Sequence, residues 1–125
     1  MKLTLDARTD VNLVRGYAVG EVRIGAQVVR GNCIVAADAV IADWGPPDVG
    51  ALGVADLAPI FALNPELVLL GTGSRQSFPA AAVRGAFAQR GVALETMDLG
   101  AACRTYNVLV QEARRVVAVL IVRDV

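Results

Sequence analysis

Few side chains in this sequence are equipped for chemistry, and one type is missing altogether. There is no histidine, which excludes Ser-His-Asp and Cys-His catalysis, imidazole acid–base chemistry and histidine metal sites. What is left is Cys33 and Cys103, the acids Glu95 and Asp98 in structured segments, and a glycine-containing stretch, GTGSRQSFP, from Gly71 to Pro79. The stretch follows the apolar run Leu67 to Leu70 and leads into a predicted helix. Open α/β sheets bind ligands in such a place, beyond the carboxyl ends of their strands. Backbone amides around Gly71 and Gly73, the Thr72 and Ser74 hydroxyls and the Arg75 guanidinium are the groups that would hold an anion there. The stretch lacks the lysine of GxxxxGKS/T and the third glycine of GxGxxG, so it meets neither nucleotide fingerprint. The competing reading is a tight exit from a buried strand, with glycine supplying positive φ.

Each remaining candidate also has a structural account. Cys103 lies in the early turns of a predicted helix beside Arg104, both of which favour thiolate. It also falls in the series Leu99, Ala102, Cys103, Tyr106, Val110, the apolar stripe of that helix, where a cysteine packs as a small hydrophobe. Cys33 sits in an apolar strand. Glu95 lies within VALETM, sharing a strand face with Ala93 and Met97, and an interior strand should not carry a charge without a partner. An ion pair to an arginine such as Arg75 or Arg104, or a hydrogen bond near the glycine loop, is the expected solution, with a catalytic acid as the competing reading. If Arg75 is committed to Glu95, it has little positive potential left for an anion. Asp98 stands where a helix N-cap belongs.

The elements that position these residues change character along the chain. From Leu13 to Ala36 the sequence reads as short alternating pieces, LVRGY, EVRI, QVVR and NCIVAA, with a Gly25-Ala26 pair suited to a two-residue type II′ hairpin, and a β-meander is expected. VIADWGPPDVG, with two prolines, two glycines and the only tryptophan, Trp44, reads as a loop. An α/β pattern follows: a helix starting near Asp56, a buried strand from Leu67 to Leu70, and a helix from Pro79 to Arg90 with Gly91 at C′. After these come a strand at VALETM, a helix capped by Asp98 and running to about Ala113, and a closing strand within RRVVAVLIV. That last strand is apolar on both faces, which places it in the middle of a layered sheet; its direction stays open because only Arg114 separates it from the helix.

Composition bounds the function classes. The chain has 125 residues, 55% of them apolar and 19% charged, a globular composition of one-domain size. The first 12 residues are expected to form a loosely ordered segment. Twelve basic residues balance twelve acidic ones, so no net field draws the chain to nucleic acid or an anionic membrane. The longest apolar run, Val116 to Val122, falls far short of the roughly 20 residues of a membrane span. The charged start MKLTLDARTDVN does not read as a signal peptide, and a cytoplasmic location is expected. Two cysteines in separate segments suggest neither a disulfide framework nor a zinc site.

Several stretches, in order, carry a family resemblance: IVAADAVIADW, DLAPIFALNPELVLL, LVLLGTGSRQSFP, RGVALETMD and AACRTYNVLVQEARRVVAVLIV. Together they resemble the small bacterial and archaeal domains related to mitochondrial complex I assembly factor three, over roughly Leu13 to Val122. The residues that recur in that family are Gly71, Thr72, Gly73, Glu95, Met97, Thr105, Tyr106 and Asn107. The Asp98-Leu99 pair departs from the small hydroxyl residue that many relatives carry after the methionine. The resemblance implies an α/β fold in three layers, β+α/β/α, with a mixed central sheet and the N-terminal meander. It also implies help in assembling respiratory complex I through protein contacts, with no established catalytic activity and no cofactor. Some bacterial relatives are encoded near membrane-protein insertion machinery.

Two functions from different classes are therefore expected to compete. In one, the protein is a non-catalytic interaction or assembly module. Its contact surface is either Trp44 and its proline-rich loop or the helix face of Arg104, Asn107 and Gln111, which fits the enrichment of aromatic and arginine anchors at interfaces. Its partners would be membrane-complex subunits or assembly factors, and the chain itself a monomer or weak homo-oligomer. In the other, Gly71, Thr72, Gly73, Arg75 and Glu95 form a pocket for a small anionic ligand or substrate. The absence of histidine and of any complete cofactor motif favours the first.

Overall fold

A computed structural model describes residues 10–122. Most of the loosely ordered segment expected over residues 1–12, with the charged start that does not read as a signal peptide, lies outside the described residues. The remainder forms two sheets and three helices. Strands β1 (Val14–Ala18), β2 (Glu21–Ile24) and β3 (Gln27–Arg30) make the expected antiparallel meander, and Ile24 pairs with Gln27 across the two-residue Gly25-Ala26 turn. The fourth alternating piece leaves it. β4 (Cys33–Ala36) joins the central sheet instead, pairing antiparallel with β5 (Ala39–Ile41). The loop expected from VIADWGPPDVG therefore begins later than its first residues: regular structure reaches further toward the prolines than their breaking effect suggests.

The central sheet adds β6 (Leu67–Thr72), β7 (Ala93–Met97) and β8 (Val116–Ile121), in the spatial order β5-β4-β8-β6-β7. β8 is central, parallel to β6 and antiparallel to β4, and all six of its residues are buried. A β-branched run such as VVAVLI suits a strand covered on both faces. Helices α1 (Ala58–Phe61), α2 (Ala81–Gln89) and α3 (Leu99–Gln111) complete the fold. The chain passes from β6 through α2 outward to β7, then from β7 through α3 back across β6 to β8. Because both crossovers share one hand while the direction along the sheet reverses, the two helices fall on opposite faces.

Three layers result. On one face the meander and α3 enclose Val22, Val29, Cys33, Leu69, Tyr106 and Leu120. On the other, α1, α2 and two short 3-10 turns enclose Trp44, Leu57, Ile60, Val68, Phe87 and Val119. The alternation along β6 and β8 deals successive side chains to the two cores. α1 is a single turn with proline near its start rather than a longer helix beginning at Asp56, and α2 starts at Ala81, two residues past Pro79.

Candidate functional site

The strand β6 does not stop at the first glycine. It runs through Gly71 to Thr72, and Gly71 is buried directly beneath α3. A β-carbon on Gly71 would lie 2.9 Å from the Ala102 Cβ and 3.4 Å from the Leu99 Cα. Glycine is needed there so that helix and sheet can approach each other.

Thr72 is buried as well, and its hydroxyl is fully engaged. It accepts from the Ser77 amide at 3.0 Å and lies 2.6 Å from the Arg75 carbonyl and 3.3 Å from that of Met97, to which it can donate. One side chain thus closes the turn over residues 72–77 and fastens it to the end of β7. Gly73 has φ +85°, the left-handed region that favours glycine, and its carbonyl accepts the Leu99 amide at 2.8 Å. At the same corner Asp98 caps α3 as expected, its Oδ1 accepting from the Ala101 amide at 2.9 Å. The loop and the helix start satisfy one another.

Arg75 and Glu95, the charged members of the candidate pocket, do not meet. Both are exposed, neither makes an ion pair among the described residues, and the expected Glu95 salt bridge to Arg75 or Arg104 is absent. The correction has a simple cause. β7 is the edge of the sheet, not an interior strand, so solvent solvates the Glu95 carboxylate without a partner.

The candidate contact surface divides in the same way. Trp44 is only 6% exposed and packs in the α2-side core, with Nε1 donating to the Asp56 carbonyl at 3.1 Å. It belongs to the core, not to an exposed face. Asn107 is also occupied: its Oδ1 accepts from the Val14 amide at 2.9 Å and its Nδ2 donates to the Val14 carbonyl at 2.8 Å. Arg104 and Gln111 remain exposed on α3.

The cysteines lie in the α3-side core. Burial pushes both thiols from 9.0 up to about 12; the charge of Cys103 adds to the rise at Cys33, and Arg104 opposes it at Cys103. Thiolate chemistry at neutral pH needs the opposite shift. Tyr106, fully buried beside them, donates its hydroxyl to the Asn12 carbonyl at 2.7 Å, and burial raises its pKa as well. Among the described residues no group of three or more acids and cysteines gathers at a spacing that could hold a metal ion. Nor is any helix of these residues long and apolar enough to cross a membrane.

Sequence reasoning misses one surface feature. Between α2 and β7 lies an open groove of about 300 Å³, lined by Phe78, Arg84, Phe87, Val92, Leu94 and Thr96. Phe78 is 65% exposed at its rim. The signal that could have found it is the pairing of Phe78 with the β7 alternation, since Leu94 and Thr96 point away from the Glu95 face.

Comparison with known proteins agrees with this architecture. The NMR structure of a Xanthomonas campestris protein superposes with a TM-score of 0.82 at 36% identity, covering 100% of this chain and 95% of that one. The 13 kDa major membrane protein of Francisella tularensis subsp. holarctica is 36% identical over 74 residues, 59% of this chain and 60% of the relative. NADH dehydrogenase (ubiquinone) 1 alpha subcomplex assembly factor 3 of Danio rerio is 32% identical over 111 residues, 87% of this chain and 63% of the relative. The chain thus spans about three fifths of the length of these two relatives. A family model matches residues 14–121, the meander and the entire central sheet, and the chain belongs to the family described as protein of unknown function (DUF498/DUF598).

Proposed function

We propose that the protein is a non-catalytic interaction module that serves the assembly of a respiratory or other membrane complex. The observation that carries this reading is the inward use of the Gly71 to Gly73 loop. Gly71 makes room for α3, the Thr72 hydroxyl closes its own turn, and the Gly73 carbonyl caps Leu99. The Thr72 hydroxyl, one of the groups that would cradle a ligand, is thus committed to the fold. Both thiols, the only nucleophiles of their kind, are buried and held protonated. The resemblance to an assembly factor of NADH dehydrogenase supplies the class of process.

The test is affinity capture of tagged protein from membrane and cytosolic fractions of its native cell. Recovery of respiratory-complex or membrane-insertion subunits in stoichiometric amounts is the expected result. Protein recovered without partners but with a bound small metabolite would overturn the reading.

A further inference from the structure

We infer that the outer edge of β7, unpaired among the described residues, and the adjoining Phe78 groove form a strand-docking site for an extended segment of another protein that reads apolar–basic–apolar. The inference rests on the interaction-module reading and names its contact surface.

The backbone at this edge is open in a definite pattern. Among the described residues β7 pairs only with β6, in parallel, and Ala93 donates its amide to the Glu66 carbonyl at 3.2 Å. Groups of one residue point to one side of a strand, and neighbours point to opposite sides. Ala93, Glu95 and Met97 therefore turn their amides and carbonyls toward β6, while Leu94 and Thr96 turn theirs outward. The Gln76 Nε2 agrees with this direction, donating to the Thr96 carbonyl from outside the sheet at 2.9 Å. It stands where the amide of an added strand would stand, so a docking strand takes over this one bond from the exposed Gln76 side chain while the other outward groups of Leu94 and Thr96 face it directly.

The side chains flanking that edge specify the occupant. Leu94 and Thr96 face the groove, whose floor and wall are Phe87, Val92 and the exposed Phe78. Residues of an added strand that lie opposite Leu94 and Thr96 would share that face, so apolar side chains there would cover Phe78 and fill the groove. The residue between them would lie opposite Glu95. That carboxylate is exposed and makes no ion pair among the described residues, and a lysine or arginine opposite it completes the pair.

The same charge argues against a second copy of this chain. Symmetric pairing of two β7 edges would bring both Glu95 carboxylates to one face with no cation between them, and charged residues on edge strands discourage self-pairing. The occupant is therefore a different, basic strand.

The experiment is an amide-resolved NMR titration of the full chain with a short acetylated peptide alternating valine and lysine. A valine–glutamate peptide and a serine–lysine peptide serve as controls. We expect shifts centred on Gln76, Phe78, Leu94 and Thr96 with the valine–lysine peptide alone. Affinity should weaken by about tenfold or more in Glu95→Lys and in Phe78→Ala, on the scale of a lost charge pair or apolar anchor. Thr96→Pro, which removes one outward amide without touching the β6 ladder, should abolish binding. Glu95→Lys and Phe78→Ala alter exposed side chains, so the result does not depend on the proline variant folding. Equal binding of the glutamate peptide, shifts located elsewhere, or self-association of the wild type that Thr96→Pro abolishes would each overturn the proposal. Capture of membrane-complex subunits that survives in Glu95→Lys and Phe78→Ala would retire this edge while leaving the interaction-module reading in place.

Discussion

Asn107 holds both backbone groups of Val14: the side-chain oxygen accepts its amide and the side-chain nitrogen donates to its carbonyl. Residues 93 positions apart are joined as though Asn107 were one residue of a neighbouring strand. This two-point clamp fastens the start of the meander to α3. Tyr106, one position earlier, secures the segment just before it through the Asn12 carbonyl.

Asn107→Ala should therefore cost about 1–3 kcal/mol, the penalty for leaving partly buried backbone groups without partners. Tyr106→Phe, which removes one hydroxyl from a buried ring, should cost about 0.5–1.5 kcal/mol. Urea denaturation checks both. Hydrogen exchange should show the Asn107→Ala loss concentrated in β1 rather than spread over the central sheet.

Much of the central architecture was legible because it depends on local pattern. The apolar run of β8, the stripe of α3 and the Asp98 cap are all written within a few residues of where they act. Long-range placement was not. Nothing near Trp44 shows that its indole will fold inward against Asp56, and Asn107 looks like a solvated helix position until Val14 arrives. Glu95 misled because an isolated strand sequence does not say whether that strand is interior or edge. In the candidate pocket a strand exit and a ligand cradle stood as competing readings; Gly73 takes the positive φ an exit calls for, whereas Gly71 lies within the strand beneath α3, and the inward use of Thr72 depends on Met97 and Ser77, which only the folded loop brings together.

The two glycines Gly71 and Gly85 should respond in opposite directions to the same change. Gly71→Ala places a methyl 2.9 Å from Ala102 Cβ and should destabilise by about 1–3 kcal/mol through overpacking. Gly85 lies exposed inside α2, and a β-carbon there would meet nothing within 4 Å. Gly85→Ala should stabilise by roughly 0.5–1 kcal/mol, by helix propensity and reduced unfolded-state entropy. Thermal unfolding of the pair decides it.

The C-terminus of α3 offers a stabilising substitution. Ala113 has φ +63°, with its amide bonded to the Val110 carbonyl and the Arg114 amide to that of Leu109. This is the Schellman arrangement, which also ends α2, where glycine, Gly91, occupies the corresponding left-handed position. Ala113→Gly should raise stability by about 0.5–1 kcal/mol. A lower unfolding midpoint would show that the strain is relieved in some other way.

Cysteine ionisation predicts an alkaline loss of stability. Each thiol titrates near 9.0 when exposed and near 12 in the fold, so its contribution is fully present below pH 9 and is lost as pH rises toward 12. In that window the unfolded state binds fewer protons, and stability should fall by about 1.4 kcal/mol per pH unit for each thiol. The Cys33→Ala/Cys103→Ala variant should show a shallower decline than wild type in urea titrations across this range. In native protein at pH 8 both thiols should resist a thiol reagent until denaturant is added; rapid labelling of Cys103 in the fold would revive nucleophilic chemistry.

The loop from Gly71 to Gly73 serves the fold as the exit from β6, with the Thr72 hydroxyl and the Gly73 carbonyl both bonded within the chain. The most direct measurement is calorimetric titration of nucleotides, phosphosugars and dicarboxylates into the wild type and into Arg75→Ala. No binding heat is expected from any of them, and the two proteins should be nearly equal in stability, because Arg75 is exposed and makes no ion pair among the described residues. Tight binding to the wild type that disappears in Arg75→Ala would contradict this reading and establish the loop as a ligand site.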